Sequence, residues 1–303
     1  MESLHDEVLD VSVVLPVYNE VGHVDDEIER ISSALDASAY SYEILVVDDG
    51  STDGSTDHLV DDEHLRVVRF ATNRGTGAVR SYGTKAARGR AVAWTDADMS
   101  YPNDRIPELV KELEGYDQVV GARTSEQGRL RGLRVPAKFM IRALAQFLTR
   151  TRIPDLNSGL RVFRRDVAVQ FLSQLPPGFS CVTTMTMTFL ANGYSIKNVP
   201  IDYAPRAGES KFHWRRDTTR YVTQVLRMVL GYDPLRIFLP LAIALGLLAT
   251  GKLTYDLLTT EYKVAGNTLL IFFAAFQTFA IGVLADLVVR KSKPADLVDP
   301  ATL

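Results

Sequence analysis

The chain has only one cysteine, Cys181. A single thiol builds neither a disulfide framework nor a thiolate metal centre, so its expected role is that of a small buried hydrophobe. The five histidines (His5, His23, His58, His64 and His213) include no pair at ligand spacing, which leaves no case for a zinc site. A large charge of either sign is also missing. A net charge of -3 over 303 residues offers nucleic acid no bulk attraction, and no nucleic-acid partner is expected. The opening stretch, MESLHDEVLD, is acidic and holds no apolar run, so no signal peptide is expected there.

Long apolar runs are confined to the C-terminal third. Ile237–Gly251 is 15 residues without a charge, and only Lys252 interrupts its continuation to Tyr255. Val264–Ala285 is 22 residues without a charge. A bilayer core takes roughly 20 apolar residues as helix, and Lys252 is able to snorkel to an interface. Two spans and a short loop, about 257–263, predict a membrane hairpin. Arg215, Arg216, Arg220, Arg227 and Arg236 precede it, and Arg290, Lys291 and Lys293 follow it. The loop holds Lys263 beside Glu261. This asymmetry predicts that both ends, and the soluble part with them, face the cytoplasm. Segments 136–152 and 214–232 read as basic amphipathic helices. They suit a headgroup layer, with ordinary core packing behind a solvated basic face as the alternative.

With 23% charged and 46% hydrophobic residues, the rest should be globular. β-branched runs predict strands over 11–16, 43–47, 65–70, 91–95 and 117–121. Helices are predicted from Val24, Ile28, Ile31 and Leu35, over 76–87, and over 104–113 with Asn103 as N-cap. The alternation predicts an α/β fold with a mostly parallel, doubly wound sheet. Ligands of such sheets sit beyond the carboxyl ends of the strands. The polar clusters PVYNE, DDGSTD, NRGTG and DADMS fall at those ends.

Asp96 and Asp98 stand one residue apart at a strand end, where like charges repel. Solvent or a cation must offset that. Hard cations such as Mg²⁺ and Mn²⁺ take carboxylate oxygens and share the site with ligand phosphates. DDGSTDGSTD suits turns and caps as well as a nucleoside. NRGTGAVRSYG has the glycines of a phosphate loop without the Walker lysine. Arg80 within it reads as a phosphate partner or a surface charge. In YAPRAGESKF, Arg206 and Lys211 flank a turn whose amides suit a phosphate, or form a plain surface loop.

VVLPVYNE, VVDDGSTDG, NRGTG, TDADMS, VVGAR, DLNSGLRVF and RAGESK occur in this order. Over about residues 11–212 the chain resembles family 2 glycosyltransferases of the dolichol-phosphate mannosyltransferase type. Its two-helix tail resembles the polyprenyl-phosphate glucosyltransferases of bacteria and archaea. The resemblance implies a GT-A nucleotide-sugar-binding domain over 1–213. A juxtamembrane helix over 214–233, two transmembrane helices over 234–289 and a cytoplasmic tail over 290–303 would follow.

It also implies roles by position. Pro16, Tyr18 and Glu20 would line the nucleoside pocket, with Val47 and Asp49 on base and ribose. Asp96, Ala97 and Asp98 would lie at the diphosphate. Asp98 would be the main ligand of Mg²⁺ or Mn²⁺, with Asp96 supporting it. Ser100 stands where many relatives carry a Gln ligand. Arg123, Arg206 and Lys211 would contact phosphates, although the Arg206–Lys211 spacing is one residue shorter than in eukaryotic mannosyltransferases.

Many members carry an acid in the segment that here reads FSCVTTMTMTF, residues 179–189, and none stands there. A sugar-hydroxyl acceptor needs a general base. A phosphate monoester, with its second pKa near ~6, is already largely dianionic at neutral pH. Arg129, Arg131 and Arg134 would help hold such an acceptor. The expected reaction is inverting transfer from a nucleotide sugar of the GDP-mannose or UDP-glucose type to a polyprenyl phosphate, dolichyl or undecaprenyl. The lipid product would feed glycosylation of protein, wall or polysaccharide. Transfer to a lipid hydroxyl and an inactive nucleotide-sugar-binding scaffold are the alternatives. A homo-oligomer stays open.

Overall fold

The computed structural model describes residues 8–124, 146, 153–178, 180–204, 231, 233–259 and 264–291. The chain divides into two compact units, Met1–Trp214 and Arg215–Leu303.

The first unit is built on a seven-stranded sheet. Its elements are β1 (Val11–Val17), α1 (Val24–Asp36), β2 (Tyr42–Asp48), β3 (Leu65–Arg69), α2 (Thr76–Ala86) and β4 (Ala91–Trp94). A 3₁₀ turn (Asn103–Arg105) and α3 (Ile106–Lys111) lead to β5 (Gln118–Arg123). After these come β6 (Arg161–Arg164), α4 (Arg165–Ala168), α5 (Cys181–Ala191) and β7 (Ile196–Ile201). The strand order is β3-β2-β1-β4-β6-β5-β7, and only β6 runs antiparallel to its neighbours. The mostly parallel sheet expected from the sequence is present.

Parallel strands are covered on both faces and therefore read as near-continuous apolar runs. VSVVLPV in β1 and YEILVVD in β2 do so, and every residue of β2 is buried. α1 covers one face with the stripe Val24, Glu27, Ile31 and Leu35. The acid Glu27 therefore takes a core-facing position, while Ile28 is only partly buried.

A second buried acid, Glu43, opens β2 beside Ser12 in the β1 register. Ser12 Oγ donates to it at 2.6 Å and the Arg88 amide at 2.7 Å. Arg66 Nη1 lies 2.7 Å away and Arg88 Nε 3.0 Å away. This knot closes the amino end of the sheet. Burial pushes the Glu43 carboxyl up, but these donors outweigh it and hold the group below its ordinary value.

The second unit contains two helices, α6 (Leu235–Thr259) and α7 (Gly266–Lys291), packed on each other as a hairpin. Both are long and apolar enough to span a bilayer. Gly282 lets Phe238 approach where a Cβ would lie 2.5 Å from the Phe238 Cβ. Near the loop end, Asp256 is buried. Lys252 reaches it at 3.0 Å from one turn earlier, and across the turn the Ala265 amide (3.2 Å) and the Thr268 hydroxyl donate to it.

Candidate active site at the carboxyl edge of the sheet

The loop after β1 begins where β1 has outrun β4, whose ladder with β1 ends at Val14 and Trp94. Pro16, paired only with Val47 of β2, therefore has no second strand requiring its missing N–H. Asn19 adopts φ 52, a left-handed conformation that Asn tolerates. DDGSTD then stitches this loop down. Asn19 N donates to Ser51 Oγ (3.0 Å), Thr52 N to Asn19 Oδ1 (2.8 Å), Glu20 N to Ser55 Oγ (2.9 Å) and Val21 N to Asp53 Oδ2 (3.1 Å). Asp48 caps its own turn through the Ser51 amide at 2.8 Å and the Thr56 hydroxyl. Tyr18 and Glu20 are half-buried on the same rim, and Val47 is fully buried beneath it.

Asp49 reaches to the third loop. Its two carboxylate oxygens accept the amides of Arg74 (2.7 Å) and Gly75 (2.9 Å). At the end of NRGTG and just beyond it, Gly77 N and Ala78 N donate to the Pro177 carbonyl at 2.8 and 3.3 Å. Side chains at Gly75 and Gly77 would run into the Pro176–Pro177 backbone. These glycines serve close packing, and the amides of Arg74, Gly75 and Gly77 already have protein acceptors. The phosphate-loop likeness of NRGTG is therefore superficial.

Arg80, seen from sequence as a phosphate partner or a surface charge, is neither. It is 2% exposed, and its Nη2 lies 2.7 Å from Asp96 Oδ1 and 3.2 Å from the Thr95 carbonyl. The guanidinium also sits over the Trp94 ring, 5.4 Å from its centroid. Burial works against the Arg80 charge, and Asp96 outweighs it, raising the group above its ordinary value. The repulsion expected between Asp96 and Asp98 is thus relieved from inside, by a buried cation on α2.

Asp98 is held differently. Ser100 donates to its Oδ1 from the side-chain hydroxyl and, at 3.2 Å, from the backbone amide. Between them Met99 takes φ 59, a strained conformation for this residue. Ala97, Asp98 and Ser100 are all nearly buried. The Ser100 carbonyl accepts the Ala204 amide at 2.9 Å, so the chain leaving β7 toward residue 205 is tied to this turn.

Asn103 is not the N-cap expected from the sequence, since no side-chain cap bond forms at this helix start. Its fully buried amide links two other groups. Oδ1 accepts the Thr95 hydroxyl, and Nδ2 donates to Glu27 Oε2 at 2.6 Å. Burial pushes the Glu27 carboxyl up; Asn103 and Arg30 oppose this, and the Asp98 charge adds to it.

Arg123, at the end of β5, forks onto Asp155 with contacts of 2.6 and 3.0 Å and lies over the Tyr203 ring at 5.1 Å. Burial pushes Asp155 up, but Arg123 more than offsets it and holds the carboxyl below its ordinary value. From Asp155 the DLNSGLR loop runs to Gly159, whose amide donates to Tyr101 Oη at 2.7 Å. A Cβ on Gly159 would lie 2.7 Å from Asp96 Oδ2, so this loop packs directly on the acidic turn. Beneath it Arg161 is fully buried, donating to Val182 O (2.7 Å), Thr186 Oγ1 (3.0 Å) and Ser158 O (2.5 Å). Burial, and then the Arg80 charge, push Arg161 down to about 10. The buried helix α5 brings Thr186 to Arg161 and Thr183 to Asn157, and carries no acid.

The structure thus gathers Pro16, Tyr18, Glu20, Val47, Asp49, Asp96, Ala97, Asp98, Ser100 and Arg123 along the carboxyl edge of one sheet. Arg129, Arg131, Arg134, Arg206 and Lys211 lie outside the described residues, as do most of segments 136–152 and 214–232. The oxygen donors of Asp96, Asp98 and Ser100 fit a hard divalent cation. Among the described residues, no group of three or more His, Cys, Asp or Glu could hold such an ion unaided. The donor set therefore suits an ion that also takes ligand oxygens. The sequence reading missed Glu27 and Asp155. An acid on an otherwise apolar helical stripe was the available signal for Glu27.

Comparison with known proteins agrees with this layout. The model of glycosyl transferase family 2 matches residues 12–171, and that of the GtrB C-terminal hairpin matches residues 233–290. The undecaprenyl-phosphate 4-deoxy-4-formamido-L-arabinose transferase of Aeromonas hydrophila subsp. hydrophila is 33% identical over 212 residues, 67% of this chain. The chain covers 62% of that relative's length, less than two thirds of it. An uncharacterised glycosyltransferase of Synechocystis sp. is 28% identical over 308 residues, covering 96% of this chain and 95% of that protein. Glucosyl-3-phosphoglycerate synthase from Mycobacterium tuberculosis, solved with UDP, aligns at TM-score 0.57 and 21% identity, over 73% of this chain and 80% of that one. Its complex with Mn²⁺, UDP and glucosyl-3-phosphoglycerate aligns at TM-score 0.55 and 22% identity, over 74% and 80%. The likeness to these structures establishes a shared GT-A fold.

Proposed function

Because the chain belongs to glycosyl transferase family 2 and ends in a GtrB-type membrane hairpin, we propose that it transfers a sugar from a nucleotide sugar to a polyprenyl phosphate. The observation that carries this reading is the asymmetry of the acidic turn. Asp96 is neutralised by Arg80 from within, whereas Asp98 is oriented by Ser100 at the edge where the β1 and β2 loops meet.

In this reading the rim formed by Pro16, Tyr18, Glu20, Val47 and Asp49 receives the nucleoside, and the diphosphate lies at Asp98. Asp98, with Asp96 and Ser100 beside it, would hold Mg²⁺ or Mn²⁺. When bound, that ion supplies charge neutralisation of the departing diphosphate. An oxygen of the acceptor phosphate attacks the anomeric carbon as the bond from that carbon to the diphosphate oxygen breaks. The nucleoside diphosphate leaves, and configuration inverts. A dianionic phosphate yields no proton, so the absence of an acid on α5 is no obstacle. What remains for the protein is in-line positioning and charge stabilisation. Ala204, tied to the Ser100 carbonyl, starts the stretch that carries Arg206 and Lys211. Arg206 is two residues on in the sequence, which supports a phosphate-binding role for that stretch.

The acceptor class is supported by the undecaprenyl-phosphate transferase relative and by the hairpin. A UDP-sugar donor is the first to try, since the Mycobacterium tuberculosis structures bind UDP. The arginines and lysines flanking the hairpin support a cytoplasmic catalytic domain. The test is transfer of labelled sugar from a donor panel into undecaprenyl or dolichyl phosphate in detergent. Metal-dependent glycolipid, abolished by a chelator, is the expected result. Transfer to a free lipid alcohol but not to the phosphate would overturn the acceptor assignment.

A further inference from the structure

The acidic turn is held from behind by a residue that touches neither donor nor acceptor. Glu27 lies on the core-facing stripe of α1 and is fully buried. A carboxylate there is costly unless its oxygens are matched by donors. Oε2 accepts Asn103 Nδ2 at 2.6 Å. Arg30 Nη1 stands at 3.8 Å, beyond hydrogen-bond reach, so Oε1 is a buried oxygen with no hydrogen-bond donor. The same Arg30 donates to the Tyr101 carbonyl at 3.2 Å and to Asp104 at 2.6 Å. Helix α1 therefore grips the turn at Tyr101, Asn103 and Asp104. The same turn holds the strained residue, Met99, between Asp98 and Ser100. A non-glycine residue in this region costs roughly 1–3 kcal/mol and persists only when its surroundings over-determine it.

We propose that Glu27 is a positioning residue for the metal-bearing turn. Through the Asn103 side chain, whose Nδ2 also lies 3.4 Å from the Asp96 carbonyl, it holds the turn in which Met99 stays left-handed, and so fixes the direction in which Asp98 presents its oxygens. An apolar side chain would fill the stripe without this charge. The proposal rests on the glycosyltransferase reading of the turn and adds a second layer of support behind it.

The test compares the full-length wild type with Glu27→Gln and Asn103→Ala, using Mn²⁺ with UDP or GDP as probe. Nucleotide binding is titrated against Mn²⁺ by calorimetry, and hydrogen exchange of the 95–104 segment is followed without metal. Loss of an outer partner of a metal ligand typically costs 10–100-fold in metal affinity. Glu27→Gln should therefore raise the half-saturating Mn²⁺ concentration about 10-fold. It should also speed exchange in 95–104 in the metal-free protein and leave KM for the lipid phosphate unchanged. Asn103→Ala should do the same, and the double variant should be no worse than the poorer single one, because both act through one link. If Glu27→Gln fails to fold, Asn103→Ala carries the test alone. Lowered thermal stability with unchanged Mn²⁺ half-saturation would overturn the proposal and leave Glu27 an ordinary buried acid. A wild type that binds neither nucleotide with Mn²⁺ would overturn the glycosyltransferase reading and this proposal together.

Discussion

The two ends of the central sheet each bury a glutamate, and they treat it in opposite ways. At the amino end Glu43 is surrounded by donors from Ser12, Arg66 and Arg88, and both its oxygens are engaged. Its neighbours keep ordinary backbone conformations. At the carboxyl end Glu27 has one oxygen with no donor, and the turn it supports contains a left-handed methionine. A second left-handed residue, Asn19, lies in the loop after β1 on that same edge. One buried acid is saturated and closes the fold. The other is under-satisfied and stands behind a strained turn that carries Asp96 and Asp98. Burial alone does not separate a structural acid from one supporting a site, whereas the completeness of its donor shell and the strain nearby do.

The sharpest way to break this contrast is at Asp98. Asp98→Ala should lower transfer at least about 100-fold, as loss of a main electrostatic group does, while the thermal midpoint stays near that of the wild type. A matched loss of stability would mean that the carboxyl edge is as structural as the amino edge.

Arg80→Met removes the buried counter-charge of Asp96. Breaking a buried pair costs about 3 kcal/mol at the lower end of the usual range, a suitable value because Asp96 keeps some solvent contact. Denaturant unfolding should show that loss. Arg80→Lys should restore little of it, since lysine is shorter and lacks the second nitrogen that reaches Cys181 and the planar group that lies over Trp94.

Glu43→Gln should cost about 2 kcal/mol, because Arg66 and Arg88 lose their acceptor but stay partly solvated. Turnover of the folded enzyme should be unaffected. Glu43 has a folded-state pKa below its unfolded one, so its contribution is present above the unfolded value and fades as pH falls toward the folded one. The gap between wild type and Glu43→Gln in unfolding free energy should therefore narrow on acidification below about pH 4.3. A gap independent of pH would show that packing, not charge, is what Glu43 provides.

Ser100→Ala should have the smallest effect. It removes one hydrogen bond to Asp98 and leaves the Ser100 amide bond in place. About 1 kcal/mol, or roughly five-fold in half-saturating Mn²⁺, is expected in a metal titration.

Much of the sheet was legible in the sequence because β1, β2, β4 and β5 are buried runs with a plain β-branched signal. β3 was found despite its arginines. β6 and β7 were not identified as strands. β6 has four residues with an arginine at each end, and the burial of Arg161 depends on acceptors 3 to 25 residues away. β7 reads IKNVPI, and its proline and lysine are tolerable because it is the edge strand. The acidic turn was visible as a cluster, but its internal counter-ion was not. Arg80 and Asp96 are 16 positions apart, and Glu27 and Asn103 76 apart. Helical periodicity chose Ile28 over Glu27 because it weighs only hydrophobicity, and an acid matched by a distant amide is invisible to it. The same blindness made Asn103 look like a helix cap, the local use of a side chain whose partners are remote.

The Asp256 latch bears on how the hairpin enters a membrane. A lone lysine or aspartate carried to the middle of a lipid span costs roughly 2.5–3.5 kcal/mol each during insertion. Lys252 and Asp256 are a single turn apart on α6 and cancel, while the Ala265 amide and Thr268 hydroxyl complete the Asp256 shell from the far side of the turn. The Lys252–Asp256 pair can thus be handed to the bilayer with its charges already matched and the two legs already in register, and neither of these groups has to find its partner after entering the lipid.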